Sequence, residues 1–137
     1  AKAAAGAVTA AGATVAAGDD AEPELLLVGG RPGSFDDETA GTVTAKAVVP
    51  ITPVPVTAKA FAVLSRAGSV YVPDFVSLAA PVLAGFDPDG GDPVDRVRAL
   101  TAELAGEGTG LWMAAIARAE EFLASWQPAL PFGRPLA

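Results

Sequence analysis

The chain contains no cysteine and no histidine. Those two absences exclude a thiol nucleophile, a disulfide framework, a Cys/His zinc site and an imidazole base. Any acid–base work falls to carboxylates, lysines or Tyr71, the single tyrosine. The missing cysteines leave the redox compartment open. Basic residues are also scarce. Nine against sixteen acidic ones give a net charge of −7, which argues against nucleic acid or an anionic membrane as partner. The carboxylates are scattered or paired in turns, as on a solvated surface. No run approaches the roughly 18 apolar residues of a membrane span. Residues 1–17 superficially resemble a signal peptide, with Lys2 before a small apolar stretch. They are too rich in Gly and Ala to be a good one, and Asp19-Asp20 ends the stretch badly. The chain begins at Ala1 rather than Met, so we read it as a fragment, a processed product or a trimmed domain.

What is present suffices for one domain. The 137 residues are 51% hydrophobic, much of it Ala and Val, so a real core is possible. The clearest unit spans residues 46–75. Val48, Val49 and Ile51 make a short apolar run that suits a strand buried on both faces. Thr52 before Pro53 reads as a helix start, a hydroxyl cap followed by a residue whose missing N–H costs nothing in the first turn. Val56, Ala60, Val63, Leu64 and Ala67 fall on one helical face, and Gly68 closes the helix. Val70, Tyr71 and Val72 form the next strand, ended by Pro73. Strand, helix and strand at this spacing make a parallel crossover.

The rest of the chain extends that pattern. Residues 2–11 read as an Ala-rich helix closed by Gly12, 14–17 as a short strand and 24–28 as a second strand. A Gly29-Gly30-Arg31-Pro32-Gly33 turn follows, then a polar segment, 34–41, with room for one helical turn. Residues 75–83 read as helical, interrupted by Pro81. Residues 87–92 are a loop that resembles an acidic calcium loop only superficially, because the EF-hand spacing and terminal Glu are absent. Asp92-Pro93 opens a helix with Val94, Val97, Thr101 and Leu104 on one face, broken at residues 106–108. A last helix from Trp112 carries Ala115, Ile116, Ala119, Phe122, Leu123 and Trp126, a stripe we read as packing surface. There is no internal repeat. The reading is an α/β fold: a partial Rossmann-like three-layer domain over residues 1–86 with a mostly parallel sheet, a C-terminal helical pair over 87–127 packing on it, and an extended tail over 128–137.

Three segments also carry a family resemblance. Glu24-Leu25-Leu26-Leu27-Val28-Gly29-Gly30 is similar to a strand of the type Asp-Val-Leu-Ile-Pro-Ala-Ala. Ala45-Lys46-Ala47-Val48-Val49 resembles an Ala-Lys-Val-Val-Val strand. Gly68 to Phe75 looks like Gly-Ile-Leu-Val-Val-Pro-Asp-Phe. Together, and in register, residues 24–82 resemble the nucleotide-binding domain of the glutamate/leucine/phenylalanine/valine dehydrogenases. The resemblance implies NAD or NADP as cofactor, a cytoplasmic amino-acid dehydrogenase, and a cofactor site that includes Gly29, Gly30, Thr52 and Pro53. Residues 10–19 resemble the end of the first Rossmann helix and the second strand, which makes Asp19 the candidate for the adenosine ribose hydroxyls. Two solvated turn aspartates are the plain alternative there.

The departures from the family pattern matter as much. The Gly-x-Gly-x-x-Gly turn that sets a pyrophosphate on a helix N-terminus would precede Ala1. Pro50-Ile51-Thr52-Pro53 stands where the family has Glu-Gly-Ala-Asn, so Pro53 replaces an amide. Ser77 to Pro81 replaces Ala-Asn-Ala-Gly-Gly. No catalytic residue and no metal ligand set is assigned within the chain, because the family's catalytic Lys and Asp belong to a separate domain. Three readings stay open. The chain is the cofactor-domain portion of an amino-acid dehydrogenase homologue, or a Rossmann-like structural or partner-binding domain without a cofactor site, or a different binding domain with Arg31 and its glycines as an anion loop. The partners expected are the remainder of a longer polypeptide or further copies of the chain.

Overall fold

A computed structural model describes residues 2–16, 22–108 and 110–126. Its elements are α1 (Lys2–Ala10), β1 (Leu25–Val28), α2 (Asp37–Ala40), β2 (Ala47–Pro50), α3 (Ala58–Ala67), β3 (Val70–Tyr71), α4 (Asp74–Ser77), α5 (Ala80–Phe86), α6 (Pro93–Gly106) and α7 (Leu111–Ala124). The three strands form one parallel sheet in the order β1-β2-β3. Leu26 pairs with Val48 and Val48 with Tyr71, so the expected parallel crossover is present.

Several elements differ from the sequence reading, each for a local reason. The helix expected from Thr52 begins only at Ala58, with Thr57 as its cap. Thr52 and Val54 both precede prolines, and a following proline ring disfavours helical backbone at each. Helix can start only after Pro55, and Thr57 is the next hydroxyl; its Oγ1 accepts from Ala60 N at 3.1 Å. Residues 14–16 form no strand, and Ala17 lies outside the described residues. Small Ala- and Gly-flanked segments have weak strand preference, and this one has no ladder partner among the described residues. The helix expected over 75–83 is two helices, and its break falls at residues 78–79 rather than at Pro81, which sits in the first turn of α5, where a missing N–H costs nothing. Pro93 works as expected in the first turn of α6, where Asp92 caps Val94 N at 2.8 Å. The single turn α2 is capped by Asp36, which accepts from both Thr39 N and Thr39 Oγ1. Those bonds hold the Asp36 carboxyl below the usual aspartate range.

Strand alternation sends Leu26, Val28, Val48 and Tyr71 to one face. There they pack with Ala40 of α2 and with Ala60 and Leu64 of α3. Both crossover helices therefore cover the same face. Leu25, Leu27, Ala47, Val49 and Val70 point to the other face, and none of them is buried. A second cluster, Val76, Leu104, Leu111, Ala114 and Ala115, lies beyond β3 and takes in Val72 and Leu100. Trp112 joins the two regions, stacking on Phe61, Tyr71 and Phe75 with ring centroids 5.2–6.0 Å apart.

Candidate site at the carboxyl end of the sheet

In open α/β sheets ligands bind beyond the carboxyl ends of the strands. Here that end is built by the segments after β1, β2 and β3. Four of the five sequence-derived site residues fall there. Asp19 lies outside the described residues.

Gly29, Gly30 and Thr52 are brought into contact. The Thr52 hydroxyl accepts from Gly30 N and donates to Gly30 O, each at 3.0 Å. Above Gly29, an added Cβ would come within 2.9 Å of Ile51 Cγ1, so glycine is needed for the Ile51 side chain to lie there. At Gly30, whose φ is +155°, a side chain would collide with Ser34. Pro53 is exposed beside them and has no N–H to offer.

These contacts belong to a longer pairing. Ile51 N donates to Val28 O at 2.8 Å, Gly33 N to Val54 O at 2.9 Å, Phe35 N to Pro55 O at 2.9 Å and Thr57 N to Phe35 O at 3.0 Å. The two loops stay laced together past the ends of their strands and close with a parallel bridge between Phe35 and Val56. Ser34 N turns back to Arg31 O at 3.0 Å. The amides of Gly30, Gly33 and Ser34 are thus committed within the chain and are not open to an anion. Arg31 is exposed and has no ion partner among the described residues. Two carboxylates of the acidic loop after α5 are likewise committed, Asp87 on Arg96 at 3.1 Å and Asp92 capping α6.

Sequence reading missed the role of Asp74. Its Oδ2 accepts from Val54 N at 2.8 Å. Val54 has φ +49°, a left-handed conformation that a β-branched residue rarely adopts. Asp74 holds that strained turn from one side and Gly33 from the other. The signal was the Pro53-Val54-Pro55 triplet, which forces an irregular backbone between β2 and α3. Ser77 adds a second tie, donating to Pro50 O at 2.8 Å. Tyr71, at the end of β3, is buried in its aromatic cluster. Burial first, and the Asp74 charge second, push its hydroxyl up to about 12.

The order β1-β2-β3 does not reverse. A dinucleotide crevice forms where strand order reverses, so none lies between these strands. Such a crevice would open on the free side of β1, with Gly29 and Gly30 at its rim and Thr52 and Pro53 one strand away.

No protein-family model matches the chain, and no curated protein matches it.

Proposed function

We propose that this chain is the cofactor-domain portion of an amino-acid dehydrogenase homologue, serving NAD(P)-dependent oxidative deamination of an L-amino acid and inactive as this chain alone. The observation that carries the reading is topological. The three segments that resemble the dehydrogenase strands are consecutive neighbours in one parallel sheet. Each sends its following loop to the same end. In such an enzyme the substrate's α-hydrogen leaves as hydride, and the protein contributes orientation and electrostatics. Gly29 and Gly30 would form the rim of the cofactor crevice, and Asp19 would accept from the adenosine ribose.

A second reading is favoured by the laced loops. Thr52 spends its hydroxyl on Gly30, Ile51 fills the space over Gly29, and Pro53 cannot donate. This is what a Rossmann-like scaffold without a cofactor site would look like, kept for structure or for a partner.

Titration with NADH, followed by its fluorescence, separates the two. The first reading predicts weak, adenosine-led binding at about millimolar or beyond, weakened further by Asp19→Ala. Complete absence of binding assigns the chain to the second reading. Micromolar binding that ignores Asp19→Ala overturns both the ribose assignment and the lost-site reading.

A further inference from the structure

The two edges of the sheet are treated very differently. β3 is two residues long, is stopped by Pro73, and has Trp112 of α7 stacked on Tyr71. Those are devices that prevent an edge from pairing. β1, the other edge among the described strands, reads Leu-Leu-Leu-Val. It has no charge, proline or bulge. Glu24 O and Val28 O accept from Ala47 N and Ile51 N, so the even-numbered residues face β2. By the parallel ladder, the N–H and C=O of Leu25 and Leu27 then point away from the sheet. Leu25 is 48% exposed. The same two side chains border the face that neither crossover helix covers.

The charges at the two ends of β1 are complementary. Glu22 precedes the strand and Arg31 follows it, both exposed and without an ion partner among the described residues. Two β1 strands laid parallel would set like charge beside like. Laid antiparallel, they bring Arg31 of each copy toward Glu22 of the other.

We infer that β1 is a self-association edge: two copies of this chain pair antiparallel through Leu25 and Leu27, forming one continuous six-stranded sheet about a twofold axis. Such an interface is self-complementary, as twofold pairing requires. The inference does not rest on the dehydrogenase reading, and it competes with that reading's cofactor crevice for the same edge of β1.

The test is light scattering with size-exclusion chromatography over a concentration series, on the full chain and three variants. Leu25→Pro removes one outward N–H and leaves the β2 ladder intact, a placement that edge strands tolerate. Arg31→Glu sets acid against acid. Glu22→Arg combined with Arg31→Glu restores the complement. The full chain should dimerise. Leu25→Pro and Arg31→Glu should each weaken the dimer about tenfold or more, and the double variant should recover it. Hydrogen exchange at the Leu25 and Leu27 amides should slow as concentration rises. A chain that stays monomeric throughout overturns the proposal, and so does a dimer indifferent to Leu25→Pro or not rescued by the charge swap. Circular dichroism of each variant confirms that the body is folded, so a loss of dimer is read at the edge.

Discussion

Tyr71 and Val72 are adjacent in sequence and belong to different cores. Tyr71 points into the cluster beneath the crossover helices, with Val48, Ala60 and Leu64. Val72 points the other way, into the cluster built by Leu104, Leu111 and Ala114. The first core is made by sheet and crossover, the second by helices after the sheet has ended. The difference teaches what each core does for the site. The first fixes the strands, and therefore the positions of the loops at their carboxyl ends. The second reaches the site through β3 and α4, by way of Val76, Asp74 and Ser77. Trp112 couples them, because it grows from the second core's helix and stacks on the first core's Tyr71 and Phe61.

The largest expected effect tests that coupling. Leu64 is fully buried, and Leu104 is 1% exposed. Leu64→Ala and Leu104→Ala should each cost about 2–5 kcal/mol, the lost transfer energy plus the cavity left behind. If Trp112 makes the two cores one cooperative unit, both variants lower a single thermal transition seen alike by circular dichroism and by tryptophan fluorescence. Two separate transitions in Leu104→Ala, with the β2 amides still protected from exchange, would show that the sheet stands without the helices.

A smaller effect separates the cores by pH. The Tyr71 hydroxyl is raised from its ordinary value of 10.0 to about 12 by burial. An acid with a raised folded value is held neutral by the fold. The associated stability is complete below about pH 10 and is lost as pH rises toward 12, because the unfolded chain ionises first. The second core contains no such group. Tyr71→Phe should therefore leave neutral-pH stability nearly unchanged and flatten the decline between pH 10 and 12 in denaturant titrations. An unaltered alkaline decline in Tyr71→Phe would place its origin elsewhere.

The first core was the more legible of the two in the sequence. The apolar run of Val48, Val49 and Ile51 and that of Val70, Tyr71 and Val72, with a helical pattern between them, make the signature of a parallel crossover. The α3 face was readable for the same reason, with Ala60 and Leu64 one turn apart. The site was less legible. Nothing local shows that Thr52 is committed to Gly30, since that contact joins residues 22 positions apart. Nor does the sequence show that Asp74 holds Val54 N. Pairwise contacts across loops are set by where the strands end, and a one-residue difference there changes every partner. The caps fell between these cases: Asp92 was legible because proline follows it directly, whereas Thr52 invited the same inference and was wrong because of the two prolines that follow.

The two threonines give the smallest effect and the sharpest separation of fold from site. Thr57 Oγ1 satisfies an otherwise unpartnered N–H in the first turn of α3, and α3 supplies Ala60 and Leu64 to the first core. Thr57→Ala should cost about 1 kcal/mol, as loss of an N-cap does. Thr52 Oγ1 joins two exposed loops that other backbone bonds already lace together. Those groups can turn to water when the hydroxyl is removed, so Thr52→Ala should cost only a few tenths of a kcal/mol. Its consequence should appear locally, as faster exchange of the Gly30 amide with the Gly33 and Phe35 amides unchanged. Thr57→Ala should instead speed exchange at Ala60 and leave Gly30 alone. Equal stability losses in the two variants, or loss of Gly33 and Phe35 protection in Thr52→Ala, would mean that the Thr52 clasp holds the loop pairing together rather than resting on it. The carboxyl end of the sheet would then be a single cooperative element with the first core.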